Sequence, residues 1–220
     1  MMRVAIFDFD GTLYEKETFQ LLMDHLKTHP TYHTAYGGFF RSILPRYLSY
    51  KLKLYPESRM KERSMQIYIR ALEHLSKKEL KTYFAEAAEK MQAHFNDNVI
   101  KKLEQHVENR DHVMLVSGAF TPLLTSVTKN FHFDTIIGTD IPFNEQSIDT
   151  TKTIYHIQGE RKNKKIFEAL QGQAVDWNNS YAYGDSYSDL PVLQLVGNPV
   201  AVQPDNRLHT VAQEQGWDII

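Results

Sequence analysis

The sequence predicts an α/β fold in which strands of a mostly parallel β-sheet alternate with helices. Short runs at 4–7, 113–116 and 180–183, apolar or tyrosine-rich, are typical of buried strands. Each run leads into carboxylate, hydroxyl or glycine residues, and the carboxyl ends of parallel strands share the sheet edge where ligands bind. Between 15 and 110 the apolar periodicity is instead helical. Weaker strand signals lie at 135–137 and 153–155.

The composition is that of an ordinary globular protein. The 220 residues are 42% hydrophobic and 24% charged, with a formal net charge of −2, which suits one α/β core plus a small accessory unit. This charge predicts no nucleic-acid partner. The absence of cysteine excludes disulfides, thiolate metal sites and cysteine nucleophiles. Because neither a signal peptide nor an apolar stretch of the ~18 residues that can span a membrane is visible, a cytoplasmic location is expected.

The strongest chemical signal is the pair Asp8 and Asp10, which follows the first run within Asp-Phe-Asp-Gly-Thr. Two carboxylates this close repel each other unless a cation is present or one of them takes up a proton. Mg²⁺ prefers oxygen ligands and would let both stay ionised. A nucleophile paired with a general acid would use both outcomes. The alternative is a structural loop in which an Asp side chain caps a turn and Gly11 supplies a positive φ.

Two further strand ends carry polar groups of the same kind. Ser117 and Gly118 follow the second run, and Asp185 and Asp189 follow the third. A parallel sheet would bring these ends to the edge that also carries the first motif. The sequence therefore predicts one site assembled from distant segments.

These motifs, in this order, resemble those of the haloacid dehalogenase (HAD) superfamily of aspartate-nucleophile phosphatases, and within it the phosphoserine-phosphatase-like branch, subfamily IB. The four motifs are the loop at 8–12, Ser117-Gly118, a lysine near 162, and Gly-Asp-Ser-Tyr-Ser-Asp at 184–189. The likeness covers nearly the whole chain outside 28–75. It implies a Rossmann-like parallel-sheet core with a helical, C1-type cap domain inserted after the first strand. The expected domains are the core at 1–14 and 96–220 and the cap at 15–95.

The resemblance also implies an activity, that of a Mg²⁺-dependent phosphatase acting on a small phosphorylated metabolite through an aspartyl-phosphate. Asp8 would be the nucleophile, and Asp10 the general acid and base. Mg²⁺ would be held by Asp8, the backbone carbonyl of Asp10, and Asp185. Ser117 and the Gly118 amide would bind a phosphoryl oxygen, with a helix-cap serine as the alternative.

The phosphate-binding lysine has three candidates, Lys162, Lys164 and Lys165. The branch often shows Gly-Glu-x-Lys with an apolar residue four positions later. Lys162 fits this pattern with Ile166 in the apolar place. The other two lysines would then be exposed on the helix.

Several further polar residues lie in or near the motifs. Asp189 would orient waters or the lysine, or would simply be favoured near a helix N-terminus. Glu17 is a substrate-pocket candidate because the resemblance places a substrate-contacting glutamate at its spacing from Asp8, although a helix start also favours glutamate. Ser188 stands where phosphoserine phosphatases usually carry Asn. The possible counterparts of their carboxylate-binding arginine are Arg59, Arg63 and Arg70.

The helical block contains an unusual basic segment. Residues 27–63 carry eight Lys or Arg against two Glu, with five interleaved tyrosines. Three interpretations stay open: a cationic, aromatic lid over an anionic substrate, a segment that touches an anionic membrane, or a solvated basic face with tyrosines in the cap core. Further along, Ser76 and Glu79 form a capping-box pattern that predicts a helix start.

Two other functions compete with hydrolysis. One is phosphoryl transfer to a second acceptor, as in a mutase, and the other is a non-catalytic binding module on the same fold. A nucleotide-binding Rossmann protein is disfavoured because the first strand leads into an acidic turn, without a glycine-rich phosphate loop. The sequence leaves the substrate and the oligomeric state open.

Overall fold

The computed structural model describes residues 1–145 and 147–220 and contains a six-stranded, parallel β-sheet. The strands are β1 (Val4–Phe7), β2 (His112–Phe120), β3 (Thr135–Thr139), β4 (Tyr181–Gly184), β5 (Asn198–Ala201) and β6 (Asp218–Ile219). Their order across the sheet is β3-β2-β1-β4-β5-β6. The predicted α/β fold with a parallel sheet is thereby confirmed, and β1 lies between the two strands that carry the other motifs.

Helices occupy most of the chain between β1 and β2. They are α1 (Thr18–Thr28), α2 (His33–Lys51), α3 (Glu57–Ala71), α4 (Lys77–Glu89) and α5 (Asp97–Glu108). The capping box is confirmed at the start of α4, where Glu79 N–H donates to Ser76 Oγ and the Glu79 carboxylate accepts from Ser76 N–H. The boundaries of the helical cap at 15–95 stay a prediction.

The remaining helices cover the sheet. They are α6 (Thr121–Val127), α7 (Glu160–Ala169), α8 (Leu190–Leu193) and α9 (Asn206–Gln215). Across the described residues, none of the helices combines the length and apolarity that a membrane crossing requires.

The side chains of β1 enter two apolar layers, one on each face of the sheet. Ala5 and Phe7 belong to a core that continues into the helices between β1 and β2. Val4 and Ile6 pack in the opposite layer, which includes Ile166 of α7. Because both faces of β1 are covered, the strand is apolar at every position.

The strand that carries Ser117 and Gly118 is longer than predicted. These residues were expected beyond the strand end, but β2 continues through them to Phe120. The pairing of β2 with β3 shifts register between Val116 and Phe120. Such an irregularity redirects side chains locally, so Ser117 reaches the cavity described below from within the strand.

The region between β3 and α7 contains fewer strands than expected. The strand signal at 135–137 is confirmed as part of β3, whereas residues 153–155 form no strand. Instead, Ile154 N–H donates to Gln66 Oε1 of α3 at 2.8 Å. The backbone of this connection is therefore held by a side chain from the helical block rather than by a neighbouring strand.

Candidate active site

The loop after β1 presents Asp8 and Asp10 at the carboxyl edge of the sheet. Asp8 N–H donates to the Tyr183 carbonyl of β4 at 3.0 Å, which extends the sheet pairing by one residue. The chain then turns tightly, with Gly11 N–H bonded to the Tyr14 carbonyl at 2.7 Å. Gly11 has φ +75°, and a Cβ at this position would overlap the Asp185 carboxylate. Glycine is therefore required for the first motif to approach the fourth.

Lys162, in the first turn of α7, joins two of the motifs through its ammonium. Its Nζ lies 2.7 Å from Asp8 Oδ1 and 2.6 Å from Asp189 Oδ1. The Lys162 side chain is 5% exposed. The two alternative lysines lie elsewhere, since Lys164 is exposed and Lys165 pairs with Glu168 at 2.7 Å.

The carboxylates of Asp8, Asp185 and Asp189 form a cluster in which one oxygen of each lies within 4.8 Å of the others. Burial, followed by the charge of Asp189, raises the pKa of Asp8 to about 6, against the opposing charge of Lys162. Burial, followed by the charges of Asp8 and Asp189, raises the pKa of Asp185 to about 8. Three carboxylates around one ammonium leave excess negative charge, a donor set that fits a divalent cation with a preference for oxygen.

The members of this cluster differ in how far they are already hydrogen-bonded. Asp189 accepts from Lys162 on one oxygen and from Ser186 N–H and Oγ on the other, at 3.2 and 2.9 Å. Asp185 accepts from Thr12 Oγ1 at the longer distance of 3.3 Å. Asp8 and Asp185 are consequently the two carboxylates better able to bind a cation, while Asp189 holds Lys162 in place.

Asp10 has a different environment from Asp8. Its Oδ1 accepts from Thr18 N–H at 3.0 Å and also from Thr18 Oγ1, at the start of α1. Burial raises the pKa of Asp10 to about 7, with the nearby charges of Glu17 and Asp8 adding to the effect and the Thr18 hydrogen bonds opposing it. A carboxyl group with such a pKa can both give and take a proton near neutrality.

Ser117 and Gly118 form the wall next to these carboxylates. Ser117 is buried, and its Oγ accepts from Ala119 N–H at 3.1 Å. A Cβ on Gly118 would lie 2.6 Å from His156 Nε2 and 3.2 Å from the Ile157 carbonyl oxygen. Burial lowers the pKa of His156 to about 4, so that its ring is neutral near pH 7. The small residue at 118 thus leaves room for this ring.

These groups face one cavity of about 1280 Å³ between the sheet edge and the helices. The predicted site residues that line it are Asp8, Asp10, Glu17, Ser117, Gly118, Lys162 and Asp185. Asp189 is buried behind Lys162 rather than on the wall. On the opposite side the lining is largely apolar or aromatic and includes Phe19, Leu22, Tyr36, Ile43, Met60 and Met65. Ser188 also lines the cavity, whereas Arg59, Arg63 and Arg70 are absent from its described lining.

Sequence reasoning missed three residues that contact the predicted site. Thr12 lies inside the first motif and Thr18 follows Glu17, so both are sequence neighbours of predicted site residues. His156 gave no functional signal, because it directly follows the predicted strand at 153–155 and belongs to none of the four motifs. Its proximity to Gly118 depends on a tertiary contact.

Two curated relatives resemble this chain over different shares of their length. The chain is 27% identical to a histidinol-phosphatase from Neisseria meningitidis serogroup C (strain 8013), and the alignment covers 100% of this chain and 99% of that protein. It is 31% identical over 117 residues to an "Inhibition of morphological differentiation protein" from Streptomyces azureus, which covers 53% of this chain and 42% of the relative. The chain thus spans less than half the length of the second relative.

Solved structures share the whole fold at low sequence identity. A protein of unknown function from Bordetella pertussis Tohama I superposes with a TM-score of 0.83 at 21% identity, covering 100% of this chain and 99% of the other. A phosphoserine phosphatase, solved as a phospho-aspartyl intermediate analogue, superposes with a TM-score of 0.65 at 13% identity and covers 99% and 92%. At these identities the likeness establishes the fold alone.

The match to a protein family covers most of the chain. Residues 5–194 match the family described as haloacid dehalogenase-like hydrolase. This range contains all four motifs, including Lys162 and the cluster around Asp185. The predicted resemblance is therefore confirmed, and the chain belongs to the haloacid dehalogenase-like hydrolase family.

Proposed function

We propose that this protein is a Mg²⁺-dependent phosphomonoesterase that hydrolyses a small phosphorylated metabolite through an aspartyl-phosphate on Asp8. The observation that carries the proposal is the position of Asp8, whose Oδ1 is 2.7 Å from Lys162 Nζ and whose carboxylate belongs to the cluster with Asp185. Two comparisons support a phosphatase activity. One is the relative named histidinol-phosphatase, which aligns over almost its whole length, and the other is the phosphoserine phosphatase with the same fold.

The nucleophilic step is assigned to Asp8. One carboxylate oxygen attacks phosphorus, and the bond from phosphorus to the leaving oxygen breaks, which divides a very slow hydrolysis into two easier displacements. Lys162 holds Asp8 by one oxygen and offers positive charge to the incoming phosphoryl group. Ser117 Oγ and the Gly118 amide are proposed to donate to phosphoryl oxygens, because both line the same cavity.

Proton transfer is assigned to Asp10. In its protonated form it donates a proton to the leaving oxygen, and as a carboxylate it then accepts a proton from the water that attacks the aspartyl-phosphate. The pKa of about 7 suits both directions near neutral pH. Thr18 fixes the orientation of this carboxyl group through Oδ1.

The residues proposed to hold Mg²⁺ are Asp8, Asp185 and the backbone carbonyl of Asp10. When bound, the cation supplies charge neutralisation between the anionic nucleophile and the anionic substrate. Asp189 is proposed as a positioning residue that keeps Lys162 directed at Asp8.

The helical block is proposed as a cap domain over this site, with the cap at 15–95 and the core at 1–14 and 96–220. Helices α1, α2 and α3 supply the apolar wall of the cavity, opposite the carboxylates. Glu17 is proposed as a substrate-pocket residue because it lines the cavity next to Asp10.

The test is turnover of an aryl phosphate with and without Mg²⁺ by wild type, Asp8→Asn and the exposed control Asp218→Asn. Asp8→Asn should lose activity by on the order of 10⁴-fold or more, while Asp218→Asn stays near wild type. Rapid quenching should yield a phosphoenzyme within the peptide that contains Asp8, and Asp10→Asn should prolong its lifetime. Undiminished turnover by Asp8→Asn would contradict the mechanism.

A further inference from the structure

Helix α2 carries one wide apolar face, of which the fold buries only one side. Phe39 and Ile43 are buried against the rest of the helical block, and Tyr36 is half-buried beside them. Phe40, Leu44, Tyr47 and Leu48 recur at the helical spacing i, i+4, i+7 and i+8 on the adjoining side of this face and are exposed. A surface helix normally directs polar residues outward, so this exposed stripe needs an explanation.

The exposed stripe continues past the end of α2. Leu48 is 54% exposed, and after the helix Leu52 and Leu54 are 70% and 77% exposed. We call Phe40, Leu44, Tyr47, Leu48, Leu52 and Leu54 together the α2 surface. Single exposed apolar residues are ordinary, but a contiguous set marks an interaction site.

The sequence of α2 and of the residues that follow it is rich in positive charge. The sequence contains no Asp or Glu from 25 to 56, whereas Arg41, Arg46, Lys51 and Lys53 lie in or beside α2. Arg41 Nε and Arg46 NH1 donate to carbonyls of their own helix, at 3.2 Å each. Among the described side chains, none of these four cations forms a salt bridge with a carboxylate.

We propose that the α2 surface docks onto the interfacial region of an anionic lipid bilayer. Exposed leucines and aromatic rings would enter the boundary between headgroups and acyl chains, while the flanking Arg and Lys reach lipid phosphates with their flexible side chains. A bilayer fits better than a protein partner because the flanking charge is of one sign, has no carboxylate partner among the described side chains, and is distributed along the apolar stripe.

The position of this surface links docking to the active site. Phe40, Leu44 and Tyr47 belong to the α2 surface and also line the catalytic cavity. Docking would therefore hold the cavity wall against the lipid. The inference depends on the surface alone, so it stands or falls separately from the assigned chemistry.

The test is co-sedimentation of the purified chain with vesicles of phosphatidylcholine alone or mixed with phosphatidylglycerol. Wild type should partition preferentially onto the anionic vesicles, and added salt should weaken the binding. Leu48→Ser/Leu52→Ser/Leu54→Ser should lower the partition coefficient by on the order of tenfold. Arg41→Gln/Lys53→Gln should lower it by about fivefold for each charge on the anionic vesicles.

Matched controls separate docking from damage to the fold. Phe167→Ser removes an apolar side chain that is 49% exposed on α7, and Lys101→Gln/Lys102→Gln removes two exposed charges on α5. Both should bind vesicles like wild type. Leu48, Leu52, Leu54, Arg41 and Lys53 do not belong to the described cavity lining, so their variants should retain turnover of a water-soluble aryl phosphate.

Three results would overturn the proposal. The first is a wild type that does not prefer anionic vesicles, and the second is a triple leucine variant that binds as well as wild type. The third is a concentration-dependent dimer in light scattering that the leucine substitutions disperse, which would assign the surface to a second copy of the chain.

Discussion

Lys162 Nζ lies 2.7 Å from Asp8 Oδ1, although the two residues are 154 positions apart in the chain. Burial alone would lower the pKa of Lys162, but the charges of Asp189 and Asp8 outweigh it and raise that pKa above its ordinary value. The ammonium therefore stays charged beside the proposed nucleophile. Removal of Lys162 would leave the buried carboxylates of Asp8 and Asp189 without this cation.

Lys162→Met should lower kcat/KM for an aryl phosphate by on the order of 10²–10³-fold, because it removes the positive charge next to the transferred phosphoryl group. Lys164→Met, on the exposed side of the same helix, is the matched control and should stay close to wild type. Steady-state kinetics on both variants, with thermal melts to show that they fold, check the assignment. A larger loss in Lys164→Met would reassign the phosphate-binding lysine.

Mg²⁺ should stabilise the folded protein, because it relieves the repulsion among Asp8, Asp185 and Asp189. At a hundredfold excess over the Kd the gain is about 2.7 kcal/mol, which raises the Tm by roughly 5–10 °C for a chain of this size. Differential scanning calorimetry of chelator-treated protein measures the shift.

The matched variants for this measurement are Asp185→Asn and Asp218→Asn. The first should lose most of the Mg²⁺-dependent shift, whereas the second, at an exposed position, should keep it. If Mg²⁺ raised the Tm of Asp185→Asn as much as that of wild type, the cation would not bind at the carboxylate cluster.

Gly118→Ala should lower kcat/KM by on the order of 10²-fold, because the added Cβ would lie 2.6 Å from His156 Nε2 and displace the wall proposed to bind phosphate. Part of the loss should return in Gly118→Ala/His156→Ala, which removes the ring but leaves the Ile157 carbonyl 3.2 Å away. Gly37→Ala, where a Cβ meets no atom within 4 Å, is the control. Full activity in Gly118→Ala would show that His156 and its neighbours can shift to make room for the Cβ without loss of phosphate binding.

His25 should make the protein less stable in acid. Burial, followed by the charges of Lys90 and His29, lowers its folded pKa from 6.5 to about 4. Between these two pKa values the unfolded chain binds a proton that the folded chain does not. The contribution of His25 to the free energy of unfolding is therefore fully present above pH 6.5 and is lost as the pH decreases toward 4, by on the order of 2 kcal/mol.

The substitution His25→Gln should flatten that slope. Glutamine can replace the hydrogen bonds that the ring makes with the Tyr83 carbonyl and Lys90 Nζ, at 3.2 and 2.9 Å, without titrating. Urea unfolding from pH 7 to 4.5 compares wild type with this variant and with His132→Gln at a site 63% exposed. If the unfolding free energies of wild type and His25→Gln changed with pH in the same way, His25 would not be the cause of the acid sensitivity.

Much of the fold was predictable because the decisive patterns are local. The continuous apolar run of β1 predicts a strand covered on both faces, and the Ser76–Glu79 capping box predicts the start of α4. The strand expected at 153–155 was wrong because a distant side chain, Gln66, satisfies that backbone instead. Local sequence does not encode such a partner.

The candidate site was predictable in part for the same reason. Asp8 and Asp185 directly follow strands of one parallel sheet, so topology brings them to one edge, whereas Ser117 lies within β2 beside a register shift. Thr18 and His156, by contrast, contact the site from segments whose position depends on how the helices and the irregular connection pack.

The sequence by itself predicted the strands of the sheet and the carboxylate motifs, since each depends on residues close together along the chain. Only the tertiary structure decided that Lys162 rather than Lys164 or Lys165 reaches Asp8, and that one side of the apolar face of α2 lies uncovered. Periodicity tells which residues share a face, but what covers that face depends on contacts between segments far apart in sequence.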